Sequence, residues 1–394
     1  MTDATATETG FPGPPEQSPP PVAPRRAKRW PWVLLSIFIV LCLIWWGLGF
    51  WTVNDYVITP GDATPVAPYI TVPAHLDHPL TGDILLTDVY VTPLNARTYL
   101  QYRFFSSDSE IIANSALLGP STPPDQFVAQ GYLDMTQAQS YATAAALTHL
   151  GQTVTSHKTG ALIYGITPGS PADASLKVAQ VITGVNGQAT PGACAVVNSL
   201  KGLKPGTSIT LSVEDSTISD SGTFRPGPIV QKKVTVAKPP RGLIETGCSA
   251  KPTVPTAYLG IEPEDQVDWT FPVKVEVHTT DIGGPSAGLA MTLGIIDKLS
   301  GGNLTGKRIV AATGTIDPEG DVGDVGGVAE KTVAVERAGA TVFFVPPQEL
   351  SAARSKATPQ LHVYAVSSLD QALRILKSLG GTMSTSHVLT EKAP

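Results

Sequence analysis

The sequence predicts an α/β fold for its C-terminal third, preceded by a small β-rich domain and, near the start, one transmembrane helix. Three observations carry this. An apolar run without a charge fills residues 30–51. Short alternating runs punctuated by Gly, Pro and Asn occupy residues 56–240. Strand-like and helix-like segments then alternate from 255 to 380.

At 394 residues the chain has room for two or three hydrophobic cores. A net charge of −6 without a basic stripe argues against nucleic acid as a partner. Three cysteines show no metal-ligand spacing, and neither a metal nor a cofactor is expected. Met1 to Ala23 is rich in Pro, Thr, Ala and Glu and lacks an apolar period. With the basic cluster Arg25, Arg26, Lys28 and Arg29 it makes residues 1–29 a disordered, cytoplasmic tail. Trp30 to Trp51 has the roughly 20 apolar residues a bilayer crossing needs. Trp30 and Trp32 mark one end and Trp45, Trp46 and Trp51 the other, as in interfacial aromatic belts. A cleaved signal peptide would have a shorter basic tail, a shorter apolar run and a small-x-small site after it. The expectation is therefore a single-pass protein of the cell membrane, with its bulk extracytoplasmic, where ATP is not a fuel. Cys42 falls inside the span. Cys194 and Cys248 fall in a compartment that permits disulfides, and the sequence alone leaves pairing and free thiols both open.

Residues 55–150 read as a β-rich region with a helix. Val57–Ile58, Tyr69–Val72 and Ile84–Val91 are its strand pieces, residues 108–134 are irregular, and Thr136 to Leu150 is a helix stopped by Gly151. Residues 151–240 form a second unit. Ala161 to Ile166 is a strand, and Thr167 to Ala172 a turn opening a short helix toward Leu176. Val181 to Gly187 is a strand ending in an Asn-Gly turn, Cys194 to Leu203 a helix, and Ser208–Glu214 and Gln231–Val236 two further strands. The order of these pieces, with "PGSPA" at 168–172 and "VITGVNG" at 181–187, resembles a PDZ domain. The resemblance implies a domain that adds an extended peptide beside an edge strand. The strand expected to take it is Ala161, Leu162, Ile163, Tyr164, Gly165 and Ile166. Tyr258–Ile261 looks like the carboxylate-binding loop of that family, but it follows the unit and is read as the first strand of the next domain.

In the stretch 255–380, Phe271 to His278 alternates as a half-buried strand, and Leu289, Leu293, Ile296 and Leu299 recur at helical spacing. The junction between them, Asp281 to Gly288, is glycine-rich and turns sharply. Ser286 thus stands near a helix N-terminus, where a serine either caps the helix or presents its hydroxyl where negative charge is favoured. Arg308–Ile316 is a strand, Asp317–Gly327 a glycine-rich loop, Val328–Ala338 a helix carrying Lys331, Thr341–Pro346 and His362–Val366 strands, and Leu369–Leu379 a last helix before a flexible tail at 381–394. "GGPSAG" at 283–288, "TGTIDPEGDVGDVGGVAEK" at 313–331 and "AGATVFFVP" at 338–346 resemble the proteolytic domain of the Lon family. Together with the anchor and the PDZ-like unit, the chain resembles the membrane-anchored PDZ–Lon peptidases of bacteria. That resemblance implies Ser286 as nucleophile, Lys331 as general base, Thr313 as support for the lysine, and assembly into a homo-oligomer. The backbone amides of Gly284, Ser286 and Ala287 are the candidates for an oxyanion hole. His278 is a candidate second supporting group at the strand end.

The residues fit that chemistry by themselves. A serine hydroxyl needs a base, and a lysine becomes one when an apolar setting lowers its pKa. Gly301 to Arg308 nearly spells a phosphate-binding loop, but Arg308 replaces the Mg²⁺-binding hydroxyl and the segment leads from helix to strand, the reverse of the required order. The expected function is an ATP-independent serine endopeptidase acting on unfolded extracytoplasmic proteins. A non-catalytic peptide-binding scaffold and a self-processing protein are the alternatives.

Overall fold

The computed structural model describes Gly10 and residues 30–119, 122–219 and 221–383. The expected tail at 1–29, apart from Gly10, and residues 384–394 of the expected C-terminal tail lie outside the described residues.

The apolar run forms helix α1 (Trp30–Gly47), which buries none of its residues against the rest of the chain. A single 3₁₀ turn, Leu48–Phe50, joins it almost directly to strand β1 (Thr52–Pro65). There follow β2 (Ile70–Thr71), β3 (Asp83–Asn95), α2 (Ala96–Phe105), β4 (Glu110–Ala113), α3 (Asn114–Leu117) and the long α4 (Pro124–His149). Helix α4 begins 12 residues before the alanine-rich pattern that predicts it; Pro124 in its first turn suits a helix start, and Gly131 weakens the helical signal of its first half.

The next unit comprises β5 (Thr155–Ile166), β6 (Val181–Val185), β7 (Gln188–Ala189), α5 (Ala193–Leu200), β8 (Ser208–Glu214), β9 (Thr217–Ile218), β10 (Phe224–Arg225), β11 (Ile229–Thr235) and β12 (Ile261–Thr270). Its sheet runs β11-β8-β6-β5-β12, and the residues expected as a short helix toward Leu176 are turns. Strand β12 was expected to open the following domain. It pairs instead along β5 from Ile261–Ile166 to Thr270–Thr155, and Leu259 enters this unit's core beside Ile163 and Leu211. Strand β5 is therefore enclosed by β6 and β12, and the outer strands of the sheet are β11 and β12. The peptide-docking edge expected at Ala161 to Ile166 is already occupied.

The remaining elements are β13 (Glu276–Val277), α6 (Gly288–Leu299), β14 (Ile309–Ala312), β15 (Thr315–Ile316), β16 (Val322–Gly323), α7 (Val328–Arg337), β17 (Val342–Val345), α8 (Leu350–Lys356), β18 (His362–Ala365) and α9 (Leu369–Ser378). The strand expected over 271–278 shrinks to β13, which pairs with β2; residues 271–275, with Pro272 lacking a backbone donor, lie in no strand.

A second correction concerns the domain limits. The main sheet runs β18-β17-β14-β3-β1-β4, so strands from 52–113 and from 309–365 share one ladder. Strand β14 pairs in parallel with both β3 and β17. Residues 55–150 and 255–380, expected as two regions, build a single layered unit into which the unit of β5 to β12 is inserted. Side-chain alternation across this sheet feeds two cores. Ile84, Leu86, Val310, Ala312, Val342 and Phe344 pack on one face with α4, α6 and α9. Leu85, Ala311, Phe343 and Val345 pack on the other with α7 and α8. Helix α6 is buried almost all round, and the small residues Ala138, Ala142 and Ala145 of α4 meet it in the same core.

Candidate active site

The site lies at the carboxyl end of β14, the usual place for chemistry in an open α/β sheet. Strand β14 breaks at Thr313–Gly314, where Gly314 has φ +150°, a backbone that L side chains rarely adopt. From one side of the sheet, the 3₁₀ turn Pro285–Ala287 ahead of α6 supplies Ser286. From the other side, α7 supplies Lys331 one turn after Gly327, which starts the helix with φ +68°. Thr313 stands between the two layers.

The hydrogen bonds are specific. Lys331 Nζ donates to Ser286 Oγ at 2.8 Å and to Thr313 Oγ1 at 3.1 Å. Thr313 Oγ1 in turn donates to the Ser286 carbonyl at 3.3 Å, and the Gly314 amide donates to the same carbonyl at 2.9 Å. The backbone of Ser286 is thereby held by the end of β14 while its hydroxyl stays free of helix capping and faces the lysine. Lys331 is 3% exposed and Thr313 0%. Burial lowers the Lys331 pKa to about 8, while the carboxylates of Asp88 and Glu349 pull the other way. Asp88, on β3, is itself raised by burial, partly offset by a hydrogen bond from the Asp62 amide and by the nearby ammonium. No cluster of His, Cys, Asp and Glu able to hold a metal occurs among the described residues.

Of the residues anticipated from sequence, Ser286, Lys331 and Thr313 meet in one cluster. The Gly284 amide, anticipated in an oxyanion hole, donates to the Gly131 carbonyl of α4 at 2.6 Å. His278 sits apart: its side chain is 74% exposed and lies 3.5 Å from Glu276 on the surface. Two contributors were not anticipated. One is Asp88, from a stretch assigned to a separate region. The other is α4, whose Gly131 closely approaches Gly283, so that a Cβ at Gly283 would stand 3.3 Å from the Gly131 carbonyl carbon. The same helix reaches the inserted unit, where Gln126 Oε1 accepts from the Ile166 amide and Gln130 Nε2 donates to the Tyr164 carbonyl. The glycine at 131, inside an otherwise helical stretch, was the available signal for a close backbone approach.

In the inserted unit, the open edge of β12 and helix α5 border a cavity of about 720 Å³. Val196, Leu200, Tyr258, Leu259 and Ile261 line it. The segment 243–257 lies along its mouth, held by a Cys194–Cys248 disulfide to α5.

Residues 256–378 match the Lon protease (S16) C-terminal proteolytic domain family. Among curated proteins, a Lon protease of Chloroflexus aggregans is 33% identical over 125 residues, 31% of this chain and 15% of that protein. A Lon protease of Methylocella silvestris is 39% identical over 90 residues, covering 23% and 11%. Lon protease 1 of Bacillus subtilis is 34% identical over 91 residues, covering 23% and 12%. The alignments thus span 11–15% of the length of these relatives. Among solved structures, the PDZ domain of the SdrC-like protein from Listeria monocytogenes covers 27% of this chain and 87% of its own, at 13% identity and a TM-score of 0.20. That likeness is weak, and the character of the inserted unit rests on its own strand order and groove.

Proposed function

Taking residues 256–378 as a Lon-type proteolytic domain, we propose that the protein is a membrane-anchored, ATP-independent serine endopeptidase working through a Ser286–Lys331 dyad. Its substrates are unfolded or loosely folded extracytoplasmic chains. The observation that carries this is the 2.8 Å contact between the hydroxyl and a buried amine.

In the reactive state Lys331 is neutral and its Nζ accepts the Ser286 proton as Oγ bonds to the scissile carbonyl carbon. The ammonium so formed, steadied by Thr313 Oγ1, gives the proton to the departing amine nitrogen, and the C–N bond breaks. Water then attacks the acyl-enzyme, its proton passes to Lys331 Nζ, and the acid leaves as Oγ regains a proton. The Ser286 and Ala287 amides, in the turn ahead of α6, face the task of holding the oxyanion now that Gly284 is engaged.

The anchoring reading rests on Trp30–Phe50, 21 residues apolar enough to cross a membrane. The Cys194–Cys248 disulfide suits an oxidising compartment. The groove between β12 and α5 is suited to an extended peptide, which would add beside β12.

The pH dependence tests the base. An unperturbed lysine at 10.5 would be neutral in about one molecule in 3,000 at pH 7, whereas one at about 8 is neutral in about one in ten. Hydrolysis of an unfolded substrate is expected to rise about tenfold per pH unit up to about pH 8 and then level. A profile flat from pH 6 to 9 would remove Lys331 as the base.

A further inference from the structure

We propose that α2 lies along the membrane surface beside the anchor, with Phe104 and Phe105 in the boundary between headgroups and acyl chains and Arg97 and Arg103 on lipid phosphates. The inference rests on the reading of α1 as a membrane span.

No linker separates the span from the folded body: Trp51 alone stands between the 3₁₀ turn and β1. Helix α2 is tied to that exit point. The Ala96 amide donates to the Trp51 carbonyl at 2.7 Å, and Thr52 pairs with Asn95, the residue that caps α2. Arg97 reaches back to the turn, where a Cβ on Gly49 would lie 3.5 Å from its guanidinium carbon. Ten helical residues rise about 15 Å, so every residue of α2 stays within that distance of the point where the chain leaves the bilayer. Headgroup regions are themselves about 5–7 Å deep on each side.

The composition of α2 matches that address. Its sequence, ARTYLQYRFF, has two arginines, two tyrosines, two phenylalanines and no acid, and none of its residues is buried. Phe104 is 70% and Phe105 83% exposed, and Arg103 stands over the Phe104 ring. A soluble surface has no use for two adjacent bare phenylalanines, whereas aromatic rings and arginines are the side chains that settle at a bilayer interface. The start of α2 sits against the turn that ends the apolar helix, which identifies a lipid bilayer as the occupant of its exposed face.

The test uses the full chain in vesicles containing anionic phospholipid, with an environment-sensitive dye at Ser107→Cys in a Cys42→Ala background. Quenching by a nitroxide near the top of the acyl chain is expected to be at least twofold stronger than for a dye at Ile229→Cys in the inserted unit, and to fall to the Ile229 level in Phe104→Ser/Phe105→Ser. A dye on Cys42 in the native background is expected to be quenched by a nitroxide deep in the acyl chain. Equal quenching at 107 and 229 with Cys42 quenched overturns the docking of α2 alone. Absence of quenching at Cys42 overturns the span and the docking together.

Discussion

Replacing Ser286 by alanine is expected to lower peptide-bond hydrolysis by about 10⁴-fold or more in kcat, with little change in stability. Removing a nucleophile abolishes the covalent route and leaves the slow background of binding and oxyanion contacts. The hydroxyl contributes little to the fold, because its hydrogen-bond partner in the cluster is the lysine. Assay of the purified full chain on an unfolded protein, alongside chemical denaturation, checks both halves. Wild-type cleavage by the variant would remove Ser286 from the mechanism. Intact hydrolysis of added substrate by wild type also separates this reading from self-processing alone.

Lys331→Met is expected to abolish activity to a similar degree and yet to stabilise the protein at neutral pH. The folded pKa, about 8, lies below the unfolded value of 10.5. Below pH 8 both states carry the proton, and the folded state bears the full penalty of a buried ammonium, about 3 kcal/mol. Between pH 8 and 10.5 the unfolded chain holds more protons, so wild-type stability rises with pH through that window. Methionine removes the penalty but also two hydrogen bonds of about 1 kcal/mol each. The net gain at pH 7 is about 1 kcal/mol; it vanishes at about pH 9 and turns into a small loss by about pH 9.5, because the penalty fades while the two lost hydrogen bonds do not. Denaturation of both proteins at pH 7 and 9.5 reads the difference, and a variant less stable by several kcal/mol at pH 7 would contradict it. Lys331→Arg restores no activity, since a guanidinium stays charged at any working pH.

The cluster of Ser286, Thr313 and Lys331 was legible in the sequence because its members sit in compact motifs, each built on glycines that the local backbone requires. Gly314 and Gly327 take up unusual φ values on either side of the cluster. What surrounds the cluster was not legible, because it depends on pairing between distant segments. Nothing local to Asp83–Asn95 says that β3 pairs in parallel with β14, so Asp88 could not be placed near Lys331. The inserted unit failed for the same reason. Its local strands read correctly, but β12 arrives after a long excursion through residues 236–260 and closes over β5, so that β12 rather than β5 is an outer strand of the sheet. The direction of His278 was not legible because a strand end does not say which way a side chain points; it is turned to solvent and Glu276.

The proposed mechanism turns on Lys331 taking the proton from Ser286. A serine-directed phosphonylating reagent, followed by peptide mass spectrometry across pH 6–9, measures it without any physiological substrate. The expected result is an adduct on Ser286 whose rate of formation climbs to a plateau near pH 8 and is lost in Lys331→Met. An adduct on Ser286 that forms equally fast at every pH and equally fast without Lys331 would contradict it.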